Sequence, residues 1–175
     1  MSLPDDGSGS RIPLGLIVSS RARRVRSHHL PQDRFWERHL PGSSVIVTQN
    51  IEQLDPAITA FKAQQVQVIA CLGGDGSLHH LVSAVLRIYG SERLPVILAL
   101  AGGTFNGVAR AIGSSGRPEQ VLCATLARLQ AGTVSAVAVR LLAIAGPGGL
   151  NRHCGFTFAA GLVARAIRYY DQDPR

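Results

Sequence analysis

Two glycine-rich elbows, Gly73-Gly74-Asp75-Gly76-Ser77 and Ala101-Gly102-Gly103-Thr104-Phe105-Asn106, leave this chain few folds to choose from. Each follows a short apolar run and precedes a helix-patterned segment. A strand that turns through glycines into a helix sets backbone N–H groups and the positive helix end beyond the strand's carboxyl end. Open α/β sheets bind their ligands there. One such elbow is an ordinary strand-to-helix turn. Two, with polar side chains at their tips, point to a phosphate-bearing ligand.

The rest of the chain agrees. Apolar runs at 14–18, 44–48, 66–72 and 96–100 read as buried strands. Helices are expected over 32–40, 55–65, 78–89, from 108, and over 119–130, the last closed by Ala131-Gly132. Asp55 is expected to cap its helix, with Pro56 at the first helical position. Arg21, Arg23, Arg24 and Arg26 read as a basic loop after the first strand. The alternation predicts an α/β domain over 11–132, a mostly parallel sheet with helices on both faces and right-handed crossovers. Residues 1–10 are polar and Gly/Ser-rich and read as a disordered leader. From residue 133 the pattern changes. A strand-like stretch over 134–144, a Gly/Pro turn, a returning strand over 152–158 and a helix over 160–170 read as the start of an incomplete β-rich second domain, 133–175.

Of the 175 residues, 46% are hydrophobic, enough for one good core. The net charge is +7, carried almost wholly by arginine, with Lys62 the only lysine. That balance suits nucleotide phosphates or anionic lipid surfaces. No aromatic platform is interleaved with the arginines, so a nucleic-acid partner is not expected. Cys71, Cys123 and Cys154 form no C-x-x-C pair and read as small buried thiols. The adjacent pairs His28–His29 and His79–His80 point in divergent directions and make poor metal clamps. No apolar run reaches the ~20 residues that span a bilayer. The start of the chain has no signal architecture, so a cytoplasmic protein is expected.

Asp75 is the residue with the most chemistry. A carboxylate between glycines at a strand end can hold Mg²⁺ beside phosphates, or act as a base toward a hydroxyl. Alternatively Asp75 or Ser77 caps its own helix, a role in which Asn would serve almost equally well. Thr104 and Asn106 are neutral hydrogen-bonding groups suited to phosphate or ribose. Phosphoryl transfer needs a held metal and a group that orients the nucleophile. Between Asp55 and Asp171 the carboxylates are Asp75, Glu92 and Glu119, and only Asp75 stands at an elbow.

These segments resemble a known family. Gly73 to Ser77 resembles the GGDG(T/S) signature shared by diacylglycerol kinases, sphingosine kinases and NAD kinases. Gly102 to Asn106, with Ala109-Arg110, is similar to the P-x-G-T-x-N-D-x-A-R segment of the diacylglycerol/sphingosine kinase branch. Ile17 to Arg23 resembles that branch's strand-then-N-P opening, and Thr48 matches a nucleotide-contacting threonine of bacterial lipid kinases. Phe156 to Leu162 resembles the segment that opens the branch's second domain. The resemblance implies a diacylglycerol kinase-like fold, ATP with Mg²⁺, and a lipid hydroxyl as acceptor. It implies nucleotide contacts from Ser19, Ser20, Arg21, Arg23, Thr48, Gly73, Gly74, Asp75, Gly76, Ser77, His79, Gly103, Thr104 and Asn106, with Asp75 also in the catalytic and metal roles.

The resemblance puts the lipid site and further acidic residues in the second domain. Residues 1–175 alone are therefore expected to lack turnover and to form a homo-oligomer through unpaired strands. Peripheral membrane contact is compatible with it. The sequence departs from the pattern at Ser19-Ser20, which replace Asn-Pro, at Gly107, which replaces an acidic residue, and at His80, which replaces a glutamate. Two alternatives stay open. An NAD kinase-type enzyme is disfavoured by the Thr104/Asn106 elbow; a catalytically inactive nucleotide- or anion-binding module is favoured by the missing carboxylates.

Overall fold

A computed structural model of the chain describes residues 13–27, 36, 40, 43–90, 92–114, 116–144, 153–156 and 165. The chain divides into two compact units, residues 1–139 and 140–175.

In the first unit β1 (Leu14–Ser19), β2 (Ser44–Thr48), β3 (Val68–Gly73) and β4 (Val96–Ala101) form one parallel sheet in the order β2-β1-β3-β4. Ile17 stands opposite Ile46 on one side and Cys71 on the other, and Gly73 opposite Ala101. Every residue of β3 is buried, as a central strand covered on both faces requires. One face carries Leu14, Leu16 and Val18 of β1 and Val68, Ala70 and Leu72 of β3. It packs against Val25 of α1 (Arg23–Ser27), Trp36, and Leu122 and Leu129 of α5 (Pro118–Gln130).

Alternate residues face the other way, toward α2 (Leu54–Ala63) and α3 (Asp75–Tyr89), which pack together. A Cβ on Gly15 would lie 2.7 Å from the Phe61 ring, so glycine lets α2 sit close on β1. Lys62 Nζ donates to the Ile88 carbonyl at 3.0 Å and pairs with Glu92 at 2.7 Å, joining the last turns of α2 and α3. Arg87 pairs with Asp55 across the same two helices. A short helix α4 (Gly107–Ala111) follows β4.

Several expectations need correction. The arginine run includes a short helix, α1, because Ala22 and Val25 bury one side of it. Helix α2 starts at Leu54, with Gln53 at its N-cap, so Asp55 and Pro56 lie inside its first turn. The approach is fixed by side chains: Asn50 Oδ1 accepts from the Gln53 N–H at 3.2 Å, and Gln53 Oε1 from the Gln49 N–H at 2.7 Å. Helix α3 begins at Asp75, not Leu78. Cys71 is buried, but Cys123 is exposed.

In the second unit, β5 (Leu142–Ile144) pairs antiparallel with β6 (His153–Gly155). The long strand expected over 134–144 is thus reduced to three residues, with Ser135 in an isolated bridge and the rest of the stretch outside any strand. The expected leader over 1–10, most of the 32–40 helix and nearly all of the 160–170 helix lie outside the described residues. Among the described residues, no helix is long and apolar enough to cross a membrane.

Candidate functional site

The strand order creates a switch point between β1 and β3. The chain leaves β1 toward β2, then passes back over it to β3. Connections diverge at such a point and open a crevice beyond the carboxyl ends of the strands. A cavity of about 200 Å³ lies there. Ser19 and Arg21 reach it from the end of β1, and Ser77 and His80 from α3. Gln49 and Asn50, in the loop after β2, form another wall.

Thr48 borders the cavity but is buried, its hydroxyl 3.5 Å from the Val18 carbonyl. The Thr48 carbonyl accepts from the Ser20 N–H at 2.9 Å and from the Ser20 hydroxyl at 3.0 Å. These two residues therefore tie the ends of β1 and β2 together.

Because β3 and β4 are neighbours, the two elbows meet backbone to backbone. The Gly102 N–H donates to the Gly73 carbonyl at 2.9 Å. A Cβ on Gly103 would lie 2.5 Å from Gly74 Cα. Asn106 holds a left-handed backbone (φ 52°), which Asn tolerates better than most residues. Its Oδ1 accepts from the Gly103 N–H at 2.8 Å, and its Nδ2 donates to the Gly103 carbonyl at 2.8 Å. The Asn106 amide thus closes its own elbow.

Asp75 links the two elbows. Its Oδ2 accepts from the Gly107 N–H and its Oδ1 from the Val108 N–H, both at 2.9 Å. The carboxylate of the first elbow therefore caps the helix that follows the second. This corrects the expectation that Asp75 or Ser77 caps α3: its N-cap is Gly74, and among the described residues no side-chain cap bond is made there. Unpaired opening N–H groups of a helix, together with its dipole, suit a negative charge.

The second elbow is also backed by α1. The Arg24 N–H donates to the Gly102 carbonyl at 2.9 Å, and Arg24 Nη1 lies 3.4 Å from the Ala101 carbonyl. At the elbow's tip Phe105 is 72% exposed, with the Arg110 guanidinium 5.4 Å from its ring centroid. The ring overhangs Gly107, where a Cβ would meet it at 2.6 Å. On α3 the His79 and His80 rings meet edge to face, centroids 5.1 Å apart. Burial, then the neighbouring His79, lowers the His80 pKa below the ordinary histidine value. Burial pushes the Cys71 thiol up to about 12, so it stays neutral.

The structure brings Ser19, Arg21, Thr48 and Ser77 together around the cavity. It fuses Gly73, Gly74, Asp75, Gly103 and Asn106 into one floor beside it. Gly76, Arg23 and Thr104 are exposed and lie outside the cavity lining, and His79 packs on His80. Reading the residues did not select His80, Gln49, Asn50 or Arg24 as site groups. His80 had a usable signal, three residues past Ser77 and so on the same helix face. The arrangement offers hydroxyls, amides, one guanidinium and an uncapped helix start, a donor set suited to a phosphate ester. Among the described residues no group of three or more His, Cys, Asp or Glu could hold a metal ion.

Residues 25–140 match the family model of the diacylglycerol kinase catalytic domain. No curated protein matches the chain significantly. A solved structure described as a diacylglycerol kinase from Bacillus anthracis str. Sterne is similar at TM-score 0.54 and 18% identity, over 67% of this chain and 42% of its own. Another from that organism, provisionally described as a diacylglycerol kinase, is similar at TM-score 0.55 and 20% identity, over 68% of this chain and 43% of its own. At such identities the likeness is one of fold, and the chain spans less than half the length of either structure.

Proposed function

The chain belongs to the diacylglycerol kinase catalytic domain family, and we propose that it forms the nucleotide-binding half of an ATP-dependent kinase whose acceptor is a lipid hydroxyl. The observation that carries this reading is the uncapped start of α3 at the edge of the switch-point cavity. Phosphates there would meet the first N–H groups of α3 and the Arg21 guanidinium. Gln49 and Asn50 would line the ribose or base.

Phosphoryl transfer leaves the protein mainly positioning and charge stabilisation. The fused elbows suit that task, because each fixes the other's backbone. Asp75 is the one carboxylate within them. Both its oxygens already accept an N–H, and each keeps acceptor capacity. That donor set fits a Mg²⁺ shared with substrate phosphates, directly or through water, and does not fit an all-protein cage. Mg²⁺ bound in this way would neutralise phosphate charge. The lipid acceptor and any further carboxylate would come from a second domain, as the resemblance implies. A catalytically inactive binding module is the second reading, favoured by the engagement of both Asp75 oxygens in capping. Phosphorylated lipid from the full-length protein would exclude it.

Gly76→Ala tests the nucleotide reading cleanly. A Cβ at Gly76 meets nothing within 4 Å, and the residue lies in the first turn of α3. The fold should be unharmed, with a gain of up to ~1 kcal/mol from the reduced backbone entropy of the unfolded chain. A methyl where phosphates approach the backbone should nevertheless weaken MgATP at least about tenfold, roughly 1.4 kcal/mol. Titration calorimetry alongside thermal melting reads both quantities. An unchanged affinity would remove the phosphates from this helix start.

A further inference from the structure

His80 lies one turn beyond Ser77 on α3, and both residues line the cavity at the switch point. The ring is half-buried and braced edge to face by His79. Among the described residues, no carboxylate lines this cavity. The loop after β2 and the start of α2 bring Gln49, Asn50, Ile51 and Leu54 to it, none of which titrates. Glu52 on that loop is exposed, and Asp55 is paired with Arg87. On α3, Asp75 turns its carboxylate to the α4 N–H groups. From the β1 side comes Arg21, a positive charge, and from β3 the neutral Cys71 thiol.

A protonated His80 would therefore share the cavity with a guanidinium and no counter-charge from the lining. An anionic ligand would supply that counter-charge. We propose that His80 contacts the anionic part of the bound nucleotide and takes up a proton as the nucleotide enters. The inference rests on the nucleotide reading above.

In the free protein, burial and His79 hold His80 below its usual value, so the ring is neutral at pH 7. A phosphate nearby favours the charged form and raises the pKa. Binding should then tighten as pH falls through the interval between the bound and free values, and it should consume protons there.

The test is titration calorimetry of the full chain with ATP at saturating Mg²⁺, at about pH 6.5, in two buffers of different ionisation enthalpy. The wild type should take up a measurable fraction of a proton per nucleotide. Its affinity should fall by up to about tenfold for each unit of pKa shift as the pH rises across the interval. His80→Gln should abolish the uptake and flatten the profile, while His79→Gln, which removes only the smaller cause of the low free value, should shrink the uptake without abolishing it. The His80 Hε1 resonance should move toward its protonated position when nucleotide is added near that pH. Uptake that survives in His80→Gln, or binding without any uptake, overturns this inference alone. No binding at any pH overturns the nucleotide reading and this inference with it.

Discussion

Gly103→Ala is expected to destabilise the protein by about 3 kcal/mol and to abolish nucleotide binding, although it adds a single methyl group. The new Cβ would lie 2.5 Å from Gly74 Cα, 3.2 Å from Gly74 N and 3.1 Å from Asn106 Oδ1. Two of those three neighbours are backbone atoms of the facing elbow, so no side chain can rotate aside to make room. The elbows must part. Overpacking of this kind costs about 1–3 kcal/mol, and each hydrogen bond lost with it about 1 more. The bonds at risk are Gly102 N–H to Gly73 and the pair between Asn106 and Gly103. Urea denaturation reads the stability, and calorimetry with MgATP the binding. A loss below about 1 kcal/mol would show that the elbows are not rigidly apposed.

Asp75→Asn should cost about 2 kcal/mol, although Asn has nearly the same shape. The carboxylate accepts two N–H groups, one on each oxygen. An amide offers one acceptor, and its NH₂ would confront the other N–H, leaving a partly buried donor unpaired. The charge-assisted character of both bonds and the favourable charge at the start of α4 are lost as well. Had Asp75 simply capped its own helix, the same change would be nearly neutral. Urea denaturation separates the two cases. Hydrogen exchange adds a local signature: the Gly107 and Val108 amides should lose protection before the amides of β3. A stability change within about 0.5 kcal/mol would mean that the bridge contributes little.

The elements of the first unit were readable because their signals are local. Four apolar runs became four strands within two residues of their expected ends, and both elbows stand where the glycines put them. Helix starts were less readable, since periodicity reports only the buried part of a helix. Leu78 is the first buried residue of α3, yet the helix begins at Asp75. The arginine run looks solvated along the sequence, and only Ala22 and Val25 reveal that one side is packed.

What could not be read was neighbourhood. The order β2-β1-β3-β4 sets Gln49 and Asn50 across from His80, and nothing along the sequence announces it. The Asp75 bond to α4 joins residues more than thirty positions apart. Polar side chains at elbow tips suggested ligand contacts. In the fold, the Asn106 amide instead serves its own loop.

The Phe105 ring lying over Gly107 has an evolutionary consequence. An acidic residue at 107, the type the resemblance anticipates, needs a Cβ where the ring edge now stands 2.6 Å away. The ring is mostly exposed and could swing aside, but only by leaving the Arg110 guanidinium. The new acid would also arrive beside Asp75, whose carboxylate already holds the backbone N–H of that same position. Changes at 105 and 107 are therefore epistatic. The acid alone meets both a steric and a like-charge obstacle, whereas a smaller residue at 105 removes the steric one beforehand. A lineage moving between an acidic and a glycine version of this loop would pass more easily through a small residue at 105 than through an acid set under an aromatic ring.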